Sequence, residues 1–222
     1  MPHSAGWFNK GKSNLNGNLR FGLAIFMAKT EVELILHGPY GLCGKHERII
    51  FYEDIGKKAG IYFWTVPYVQ GGLIINYIGE TGESFKRRFK DHLIHKAGGN
   101  YRICDPDFAV QGVERILWNG LWRKGTRDKM PEFVSRIIEL SPAIKKSLEH
   151  SEIYVAPFEG EKRIRQRIEG AIADHIKAQP PPASSLLPKD VRYYRRGSDE
   201  EPVTVLISGG DALLGMPKDL LA

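Results

Sequence analysis

Two apolar runs in the middle of the chain are short and rich in β-branched and aromatic residues. They cover residues 60–66 and 73–78, and the six residues between them begin with Pro and end with Gly-Gly. Runs of this kind, bounded by turn residues, are typical of strands. The pattern therefore predicts an antiparallel hairpin.

The register of this hairpin decides which side chains share a face of the sheet. If Val66 pairs with Leu73 across the loop, counting back along both strands brings Tyr62 directly opposite Tyr77. Residues directly opposite each other in an antiparallel pair lie on the same face. We therefore expect the two phenol rings to stand side by side on one face.

Apolar residues that recur every four positions predict a helix after this hairpin. Residues 84–96 carry Phe85, Phe89 and Leu93 at that spacing, which places them on one buried stripe. Ser84 is suited to cap the first turn, and two glycines follow the last turn.

A second helix is predicted over residues 161–177, where four isoleucines recur at the same spacing and three prolines follow the end. Those isoleucines are Ile164, Ile168, Ile172 and Ile176. We also expect strands over residues 31–36, 48–52 and 153–158, turn residues over 37–41, and helices over 131–140 and 142–150.

The order strand, strand, helix, helical insert, strand, helix indicates an α/β fold with a small, mostly antiparallel sheet flanked by helices. We expect an N-terminal arm with accessory strands over residues 1–57. A core follows over residues 58–182, with a helical insert at about 100–150. Residues 183–222 form a C-terminal arm with a hairpin, so both ends extend a central unit.

Composition and charge add a preference for acidic partners. The 222 residues include 32 Lys and Arg against 26 Asp and Glu, and this net charge of +6 weakly favours a polyanion. The longest apolar stretch, around residues 23–28, is too short to cross a bilayer, so we expect no membrane partner. Cys43 and Cys104 form no C-x-x-C pair, which argues against a zinc ribbon and favours a cytoplasmic location.

Two tripeptides within the hairpin narrow the chemistry. Gly60-Ile-Tyr62 begins the first strand, and Tyr77-Ile-Gly79 ends the second. Together with the order of the elements, these residues resemble the GIY-YIG nuclease family, which takes its name from them. The resemblance covers residues 58–182 and implies a GIY-YIG nuclease-like core. It also implies an endonuclease that hydrolyses phosphodiester bonds of double-stranded DNA and leaves 5′-phosphates.

The resemblance also assigns roles to individual residues. The family places an arginine on the first helix, a histidine four residues later, and a glutamate on the helix after the third strand. These positions are Arg88, His92 and Glu169 in this chain. By this resemblance, Tyr62 is the general base or orients the water, and Tyr77 positions the phosphate or the water. Arg88 stabilises the transition state, His92 assists, and Glu169 holds Mg²⁺, or Mn²⁺ in its place.

Elementary chemistry supports the same assignment. Phosphodiester hydrolysis needs an activated water in line with the leaving oxygen and positive charge at the phosphoryl oxygens. A phenol is a poor base until a cation such as Arg88 lowers its pKa, and a planar guanidinium suits a phosphate. Glu169 offers hard oxygen ligands, and Mg²⁺ usually takes only one or two carboxylates.

Two departures from the family pattern concern secondary residues. Phe85 falls one residue later than the family's usual leucine, which leaves Arg87 and Arg88 as competing positions. We take Arg88 because it has the helical spacing that shares a face with His92. The family also tends to carry an asparagine twelve to fifteen residues after the glutamate, whereas Ser184 lies in that window here and is the candidate substitute.

Three further patterns indicate other chemistries, but each lacks its context. His92 and His95 form an H-x-x-H, yet no third ligand is spaced to complete a zinc site. Residues 6–13 match the phosphate-loop pattern G-x-x-x-x-G-K-S, but no strand precedes them and a poor helix sequence follows, which disfavours a nucleotidase. Pro106-Asp107 has no accompanying Glu-x-Lys, which disfavours nucleases built on that acidic cluster.

Basic residues on the first helix and in two later clusters are candidates for contacts to the DNA backbone. They are Lys86, Lys90, Arg123, Lys124, Arg127, Arg192, Arg195 and Arg196.

The sequence therefore predicts a Mg²⁺-dependent DNA endonuclease. Long arms around a compact core resemble the restriction-endonuclease members of the family, so we expect a sequence-specific, restriction-type enzyme. A DNA repair or mobile-element nuclease of the same family, and a nucleic-acid-binding module with a decayed site, stay open as alternatives. Cutting both strands with one site per chain needs a homodimer on DNA or two sequential nicks.

Overall fold

The computed structural model describes residues 30–222, so the patterns at residues 6–13 and 23–28 lie outside the described residues, as does the side chain of Arg127. The strands are β1 Thr30–Ile35, β2 His37–Tyr40, β3 Gly60–Pro67, β4 Leu73–Thr81, β5 Ile103–Cys104, β6 Ile116–Trp118, β7 Glu152–Pro157, β8 Val203–Ser208 and β9 Asp219–Leu221. The helices are α1 Phe85–Ala97, α2 Pro106–Ala109, α3 Met130–His150 and α4 Lys162–Ala178.

The central sheet has the order β2-β7-β3-β4, and each neighbouring pair in it is antiparallel. β3 lies between β7 and β4 and is buried along almost its whole length. One face of the sheet packs against α1 and the other against α4. The predicted α/β architecture, a small antiparallel sheet flanked by helices, is confirmed at this level.

Alternation along β3 sends its side chains to two separate clusters. Ile61 and Phe63 join the cluster that contains the isoleucines of α4, namely Ile168, Ile172 and Ile176. Tyr62 and Trp64 join the cluster that contains Phe85 and Phe89 of α1. Because successive strand residues point to opposite faces, the phenol of Tyr62 belongs to the α1 side.

The predicted register of the β3–β4 hairpin is wrong. Val66 pairs with Ile74 rather than with Leu73, and a bulge shifts the register again, so that Tyr62 lies opposite Gly79 and Trp64 opposite Tyr77. Asn76 is the extra residue in the bulge. Tyr62 and Tyr77 are therefore diagonal neighbours on one face rather than directly opposite.

The prediction for residues 37–52 is wrong in both halves. The expected turn residues include β2, which pairs with β7 through His37 and Tyr40, whereas residues 48–52 form turns instead of a strand. Only Ile49 makes an isolated bridge, to Gly41. The physical reason is that the free edge of β7 supplies a partner for β2, which the local turn chemistry does not reveal.

The expected break between two helices at residue 141 is also wrong, because α3 continues through Pro142. The ring of Pro142 removes one backbone hydrogen bond, which would otherwise reach the carbonyl of Ile138. Ile138 lies on the exposed face, where its side chain is 86% exposed, so water can satisfy that carbonyl. The buried face of the helix is uninterrupted through Leu140 and Ile144.

The two ends of the described chain meet in a second sheet with the order β1-β8-β9. β8 is parallel to β1 and antiparallel to β9, and residues 209–218 connect β8 with β9. Leu34 and Val205 of this sheet belong to the same cluster as Ile172 of α4. The second sheet is thus packed on the α4 side of the central sheet.

The insert between α1 and β7 contains a two-stranded pair, β5 with β6, together with α2 and α3. Its own small core includes Ile103, Trp118 and Phe133. None of the helices within residues 30–222 has the length and apolarity that a bilayer crossing requires.

Candidate active site

The hydroxyl of Tyr62 is the centre of a hydrogen-bonded cluster between β3 and α1. The Arg88 Nε donates to this oxygen over 3.0 Å, and the His92 Nε2 lies 2.8 Å from it. Tyr62 is entirely buried and His92 is only 3% exposed, whereas Arg88 is half-buried. The sequence-predicted residues Tyr62, Arg88 and His92 are therefore in direct contact.

The charge of His92 is set by its surroundings. Burial, and then the neighbouring Arg88 charge, lower the pKa of His92 to about 3, so its ring is neutral at ordinary pH. Arg88 can only donate, so the phenol oxygen of Tyr62 accepts from it. The tautomer of the imidazole sets the direction of the second hydrogen bond, and in either direction the phenol links the guanidinium to the imidazole.

The local sequence of α1 explains why Arg88 and His92 both reach Tyr62. The Ser84 hydroxyl caps the helix by accepting from the backbone N–H of Arg87, as predicted. Phe85 and Phe89 are wholly buried against the sheet, which fixes the rotation of the helix about its axis. Arg88 and His92 are four residues apart and so project together toward Tyr62.

The glycine of the second tripeptide has a steric role in this cluster. Gly79 lies opposite Tyr62, and a Cβ placed on it would sit 2.2 Å from the Tyr62 hydroxyl oxygen. Any side chain at this position would displace the phenol. Gly79 therefore provides the space in which the Tyr62 ring lies.

Tyr77 joins the cluster because of the bulge at Asn76. Its ring is stacked near that of Tyr62, with centroids 6.1 Å apart and planes inclined by 30°. If the register at the loop continued without the bulge, Tyr77 would lie opposite Phe63, whose side chain points to the other face. Tyr77 is half-buried and lies nearer the surface than Tyr62.

The pKa values of both phenols are raised, which differs from the expectation that Arg88 lowers them. Arg88 does act in that direction, but burial and Tyr77 raise the pKa of Tyr62 well above its ordinary value. Burial likewise raises the pKa of Tyr77. Desolvation outweighs one nearby cation here because both rings lie in an apolar setting.

Glu169 projects from α4 and is half-buried near the outer strand β4. Burial first, and then the charge of Glu80, raise the pKa of this carboxyl to about 7, while Arg88 and the backbone N–H of Glu80 lower it. Its charge also raises the pKa of Tyr77. Although α4 packs on the opposite face from α1, Glu169 is thus within electrostatic range of the phenol cluster, at the free edge of β4.

Sequence reasoning missed a buried ion pair beside Glu169. The Arg165 Nε donates to Glu80 over 3.0 Å, and the two side chains are 9% and 16% exposed. Arg165, four residues before Glu169, would be its natural helical partner, but it is taken by Glu80. The Glu169 carboxylate is therefore left without an ion pair within residues 30–222. In the sequence, only the position of Glu80 directly after Gly79 indicates that a carboxylate lies near this site.

Two other aromatic residues near the cluster were also missed. Tyr101 lies with its ring centroid 5.5 Å from that of His92, and burial raises its pKa to about 12. The Tyr193 hydroxyl is buried without a hydrogen-bond partner within the described residues, and its pKa is raised by burial and then by Tyr77 and Glu169. Both residues lie outside the two tripeptides, and no spacing rule indicates them.

The secondary candidates lie apart from the cluster. Arg87 points to solvent and pairs with Glu83 over 2.9 Å, so Arg88 is the arginine that contacts Tyr62. Ser184 is half-buried in the turn after α4, and no described hydrogen bond connects its side chain to the cluster. The structure therefore does not bring Ser184 and Arg87 to Tyr62.

The basic residues proposed to contact DNA differ in their hydrogen-bond partners and in their exposure. Arg195 pairs with Asp174 over 2.7 Å, and Arg196 donates to the Glu200 backbone oxygen. Arg123 donates to Asn119. Lys86 is half-buried, and the remaining candidates with described side chains are exposed: Lys90, Lys124 and Arg192.

The donor set near Tyr77 fits a single Mg²⁺ held by one carboxylate. Within residues 30–222 no three His, Cys, Asp or Glu side chains converge on one point, and Mg²⁺ does not need them, since it keeps several waters and uses one or two carboxylates. Glu169 has hard oxygen atoms, lacks an ion-pair partner among the described residues, and has a pKa that a bound cation would lower. Glu169 is therefore the residue that would hold the ion.

Comparisons with protein-family models, with curated proteins and with solved structures found no match.

Proposed function

We propose that this chain is a Mg²⁺-dependent DNA endonuclease of the GIY-YIG type, which hydrolyses phosphodiester bonds and leaves 5′-phosphates. The observation that carries the proposal is the convergence of Arg88 and His92 on the Tyr62 hydroxyl, with Tyr77 on the same face. The net charge of +6 favours a polyanionic substrate. This combination of a guanidinium, two phenols and a nearby lone carboxylate suits phosphoryl chemistry.

Arg88 is the group that binds the scissile phosphate in this proposal. Its Nε is fixed by Tyr62, and neither Nη atom has a hydrogen-bond partner within residues 30–222. A guanidinium held in this way presents its remaining N–H groups to phosphate oxygens without a loss of side-chain freedom on binding. Arg88 therefore supplies positive charge where negative charge grows in the transition state.

We assign the two phenols hydrogen-bonding roles rather than base roles. Tyr62 is entirely buried and its pKa is raised, so its hydroxyl positions Arg88 and His92 without meeting the phosphate. Tyr77 is nearer the surface, where its hydroxyl orients the attacking water or the phosphate. When bound at Glu169, Mg²⁺ supplies a more acidic water and charge relief at the phosphate oxygens.

The test is the cleavage of supercoiled plasmid with and without Mg²⁺. We expect nicked circles and then linear DNA, and no cleavage in EDTA. Arg88→Ala should reduce the rate by at least about a hundredfold, in the range that loss of one transition-state donor costs. The matched variant Arg87→Ala should retain most activity, because Arg87 pairs with Glu83 in solvent.

The outcomes separate the proposal from its rivals. Binding of plasmid without any nicking would contradict the enzyme and favour a nucleic-acid-binding module with a decayed site. A larger loss in Arg87→Ala than in Arg88→Ala would contradict the assignment of the phosphate-binding residue.

We further propose that cleavage is sequence-specific, as in the restriction-type members that the chain resembles. Sequencing the ends of digested plasmid tests this proposal. Discrete ends support a sequence-specific enzyme, and scattered ends favour a structure-directed repair nuclease. Because one chain offers one site, linear product that appears together with nicked circles at the earliest times would indicate a homodimer on DNA.

A further inference from the structure

A cavity of about 400 Å³ opens directly beside the phenol cluster. Tyr77 and His92 form the wall that the cavity shares with that cluster. The other walls come from the second half of α1, from the insert, from the end of α3 and from the chain near Leu186. A cavity of this size is in the range that holds a small organic ligand, and no role described so far uses it.

Aromatic side chains dominate the entrance and the inner wall. Trp64 and Tyr101 line the cavity, as does Trp122, which is 56% exposed. The Trp122 ring lies 4.3 Å from that of His95 and 5.4 Å from that of Tyr101, centroid to centroid. A tryptophan held at a cavity entrance by two neighbouring rings offers a flat surface for stacking.

Three polar groups in the cavity wall lack partners within residues 30–222. The Lys96 ammonium makes no described ion pair or hydrogen bond and lies 5.6 Å from the Trp64 ring centroid. Asn76 Oδ1 and His150 Nδ1 are buried without a hydrogen-bond partner. Buried polar groups are normally satisfied, so these groups favour water or a ligand with polar atoms in the cavity over a purely apolar ligand.

The bulge in β4 connects the cavity with the candidate active site. Asn76, the extra residue of the bulge, lines the cavity, and the next residue is Tyr77. One local irregularity thus places Asn76 in the cavity wall and Tyr77 beside Tyr62. A ligand in the cavity would lie next to Tyr77, the phenol that we propose orients the water or the phosphate.

We propose that this cavity binds one unpaired nucleotide, which the DNA substrate contributes by turning a base out of the duplex. The proposal rests on the proposed nuclease function for the source of the nucleotide. Aromatic faces suit the base, and an amide and an ammonium suit its polar edge and carbonyl oxygens. A purely apolar ligand would leave Asn76, Lys96 and His150 unpaired.

The experiment compares two duplexes that differ in a single group. Both have the same sequence and one bulged position, which carries a base in the first duplex and an abasic sugar in the second. Binding is measured by fluorescence anisotropy in EDTA, where no cleavage occurs. We expect the duplex with the base to bind about tenfold more tightly, as loss of one stacked base implies.

Variants assign this preference to the cavity. Asn76→Leu and Lys96→Met should each bring the two affinities to within about twofold. Lys145→Met, which alters an exposed lysine of α3, should leave the preference unchanged. If Asn76→Leu does not fold, Trp122→Ala replaces it, because that ring lies at the surface.

A second arm identifies the source of the nucleotide. Each of the four deoxynucleoside 5′-monophosphates is titrated while tryptophan fluorescence is followed. Binding of free monophosphates, without a preference between the duplexes, would overturn DNA as the source and assign the cavity to free nucleotides. Binding in neither arm would overturn the proposal entirely.

The two proposals fail in different ways. A chain that prefers the bulged base but never nicks plasmid would retain the nucleotide cavity and lose the nuclease. A chain that nicks plasmid normally, binds both duplexes equally and cuts as well in Asn76→Leu would retain the nuclease and lose the cavity.

Discussion

The Tyr62 side chain makes two separable contributions to the cluster. Its ring is packed between Phe89, at a centroid distance of 5.2 Å, and Tyr77, and its oxygen joins Arg88 and His92. Packing is a property of the ring, and positioning is a property of the hydroxyl. The two contributions can therefore be separated by removing one atom.

We expect Tyr62→Phe to keep the fold and to reduce the cleavage rate by about a hundredfold, because a misplaced catalytic group costs about that much. Single-turnover cleavage of plasmid measures the rate, and urea unfolding measures stability. Tyr52→Phe, which alters an exposed phenol outside the cluster, is the matched control and should leave the rate unchanged. A Tyr62→Phe rate within twofold of the parent would show that the hydroxyl positions nothing of importance.

The carboxyl of Glu169 gives the site a pH dependence with a defined sign. Its pKa is raised to about 7 from an ordinary value of 4.5, so the folded chain favours the neutral acid. The contribution to the free energy of unfolding is therefore complete below pH 4.5 and is lost as the pH rises to about 7. Metal binding needs the ionised carboxylate, so the affinity for Mg²⁺ rises as the pH rises.

We expect the apparent Mg²⁺ affinity to fall about tenfold per pH unit below pH 7 and to level off above it, since one proton competes with the ion. Cleavage rates against Mg²⁺ concentration, from pH 5.5 to pH 9, measure this dependence. His92 adds no further inflection to the pH profile between pH 5.5 and pH 9, because its pKa is about 3. A rate that continues to rise steadily to pH 9 would instead indicate a phenol acting as base.

At the scale of elements, α4 and the segment between α4 and β8 are joined by one close approach. Gly170 is buried next to Glu169, and a Cβ at this position would lie 2.1 Å from the Tyr194 backbone oxygen. The segment that carries Tyr193 therefore packs on α4 only because residue 170 has no side chain. The same contact holds the buried Tyr193 hydroxyl near Glu169.

We expect Gly170→Ala to destabilise the chain by about 1–3 kcal/mol, because the added methyl group meets backbone rather than a flexible side chain. Helix propensity alone predicts a gain of about 1 kcal/mol for the same change. Urea unfolding therefore distinguishes the two effects by sign. Gly160→Ala, outside the helix, serves as a comparison in which the three atoms nearest to the added Cβ all belong to the Phe158 ring.

At the scale of the whole molecule, one buried arginine ties the second sheet to α4. Arg167 is 4% exposed, and its Nη2 donates to the backbone oxygens of Glu201 and Ala222 over 2.6 Å and 2.7 Å. These acceptors flank β8 and β9, whose partner β1 lies at the other end of the described chain. The side chain thus connects the β8–β9 part of the second sheet to the helix that carries Glu169.

We expect Arg167→Met to lower the free energy of unfolding by about 2–4 kcal/mol, because one buried and one part-buried carbonyl group lose their donor. Equilibrium urea unfolding provides the measurement. Arg195→Met, which removes an exposed arginine paired with Asp174, should change stability by less than about 1 kcal/mol. Equal effects in the two variants would show that the buried connection contributes nothing special.

Local signals were sufficient for much of the fold. The Ser84 cap and the phenylalanine stripe predicted α1, the isoleucine spacing predicted α4, and β-branched runs predicted β3, β4 and β7. Each of these elements is encoded by neighbours within a few residues. Helical spacing likewise predicted the common face of Arg88 and His92, whereas their association with Tyr62 was implied only by the family resemblance.

Errors occurred where a distant partner decides the local conformation. β2 forms because β7 offers a free edge. α3 continues past Pro142 because the missing hydrogen bond to the Ile138 carbonyl falls on the exposed face of the helix. The hairpin register depends on a bulge at Asn76, which no turn signal near the loop indicates. A period of two makes any register error decisive for which face a side chain occupies.

The sequence by itself determined the kinds of groups available, namely two phenols, a guanidinium, an imidazole and a lone acid, and the elements that carry them. Only the tertiary structure decided that Tyr77 is diagonal to Tyr62, that Arg165 is taken by Glu80, and that a cavity lies beside them. The physical reason is that pairing, burial and electrostatic shifts depend on residues far apart in the chain. Local propensities carry no information about which distant residues come together.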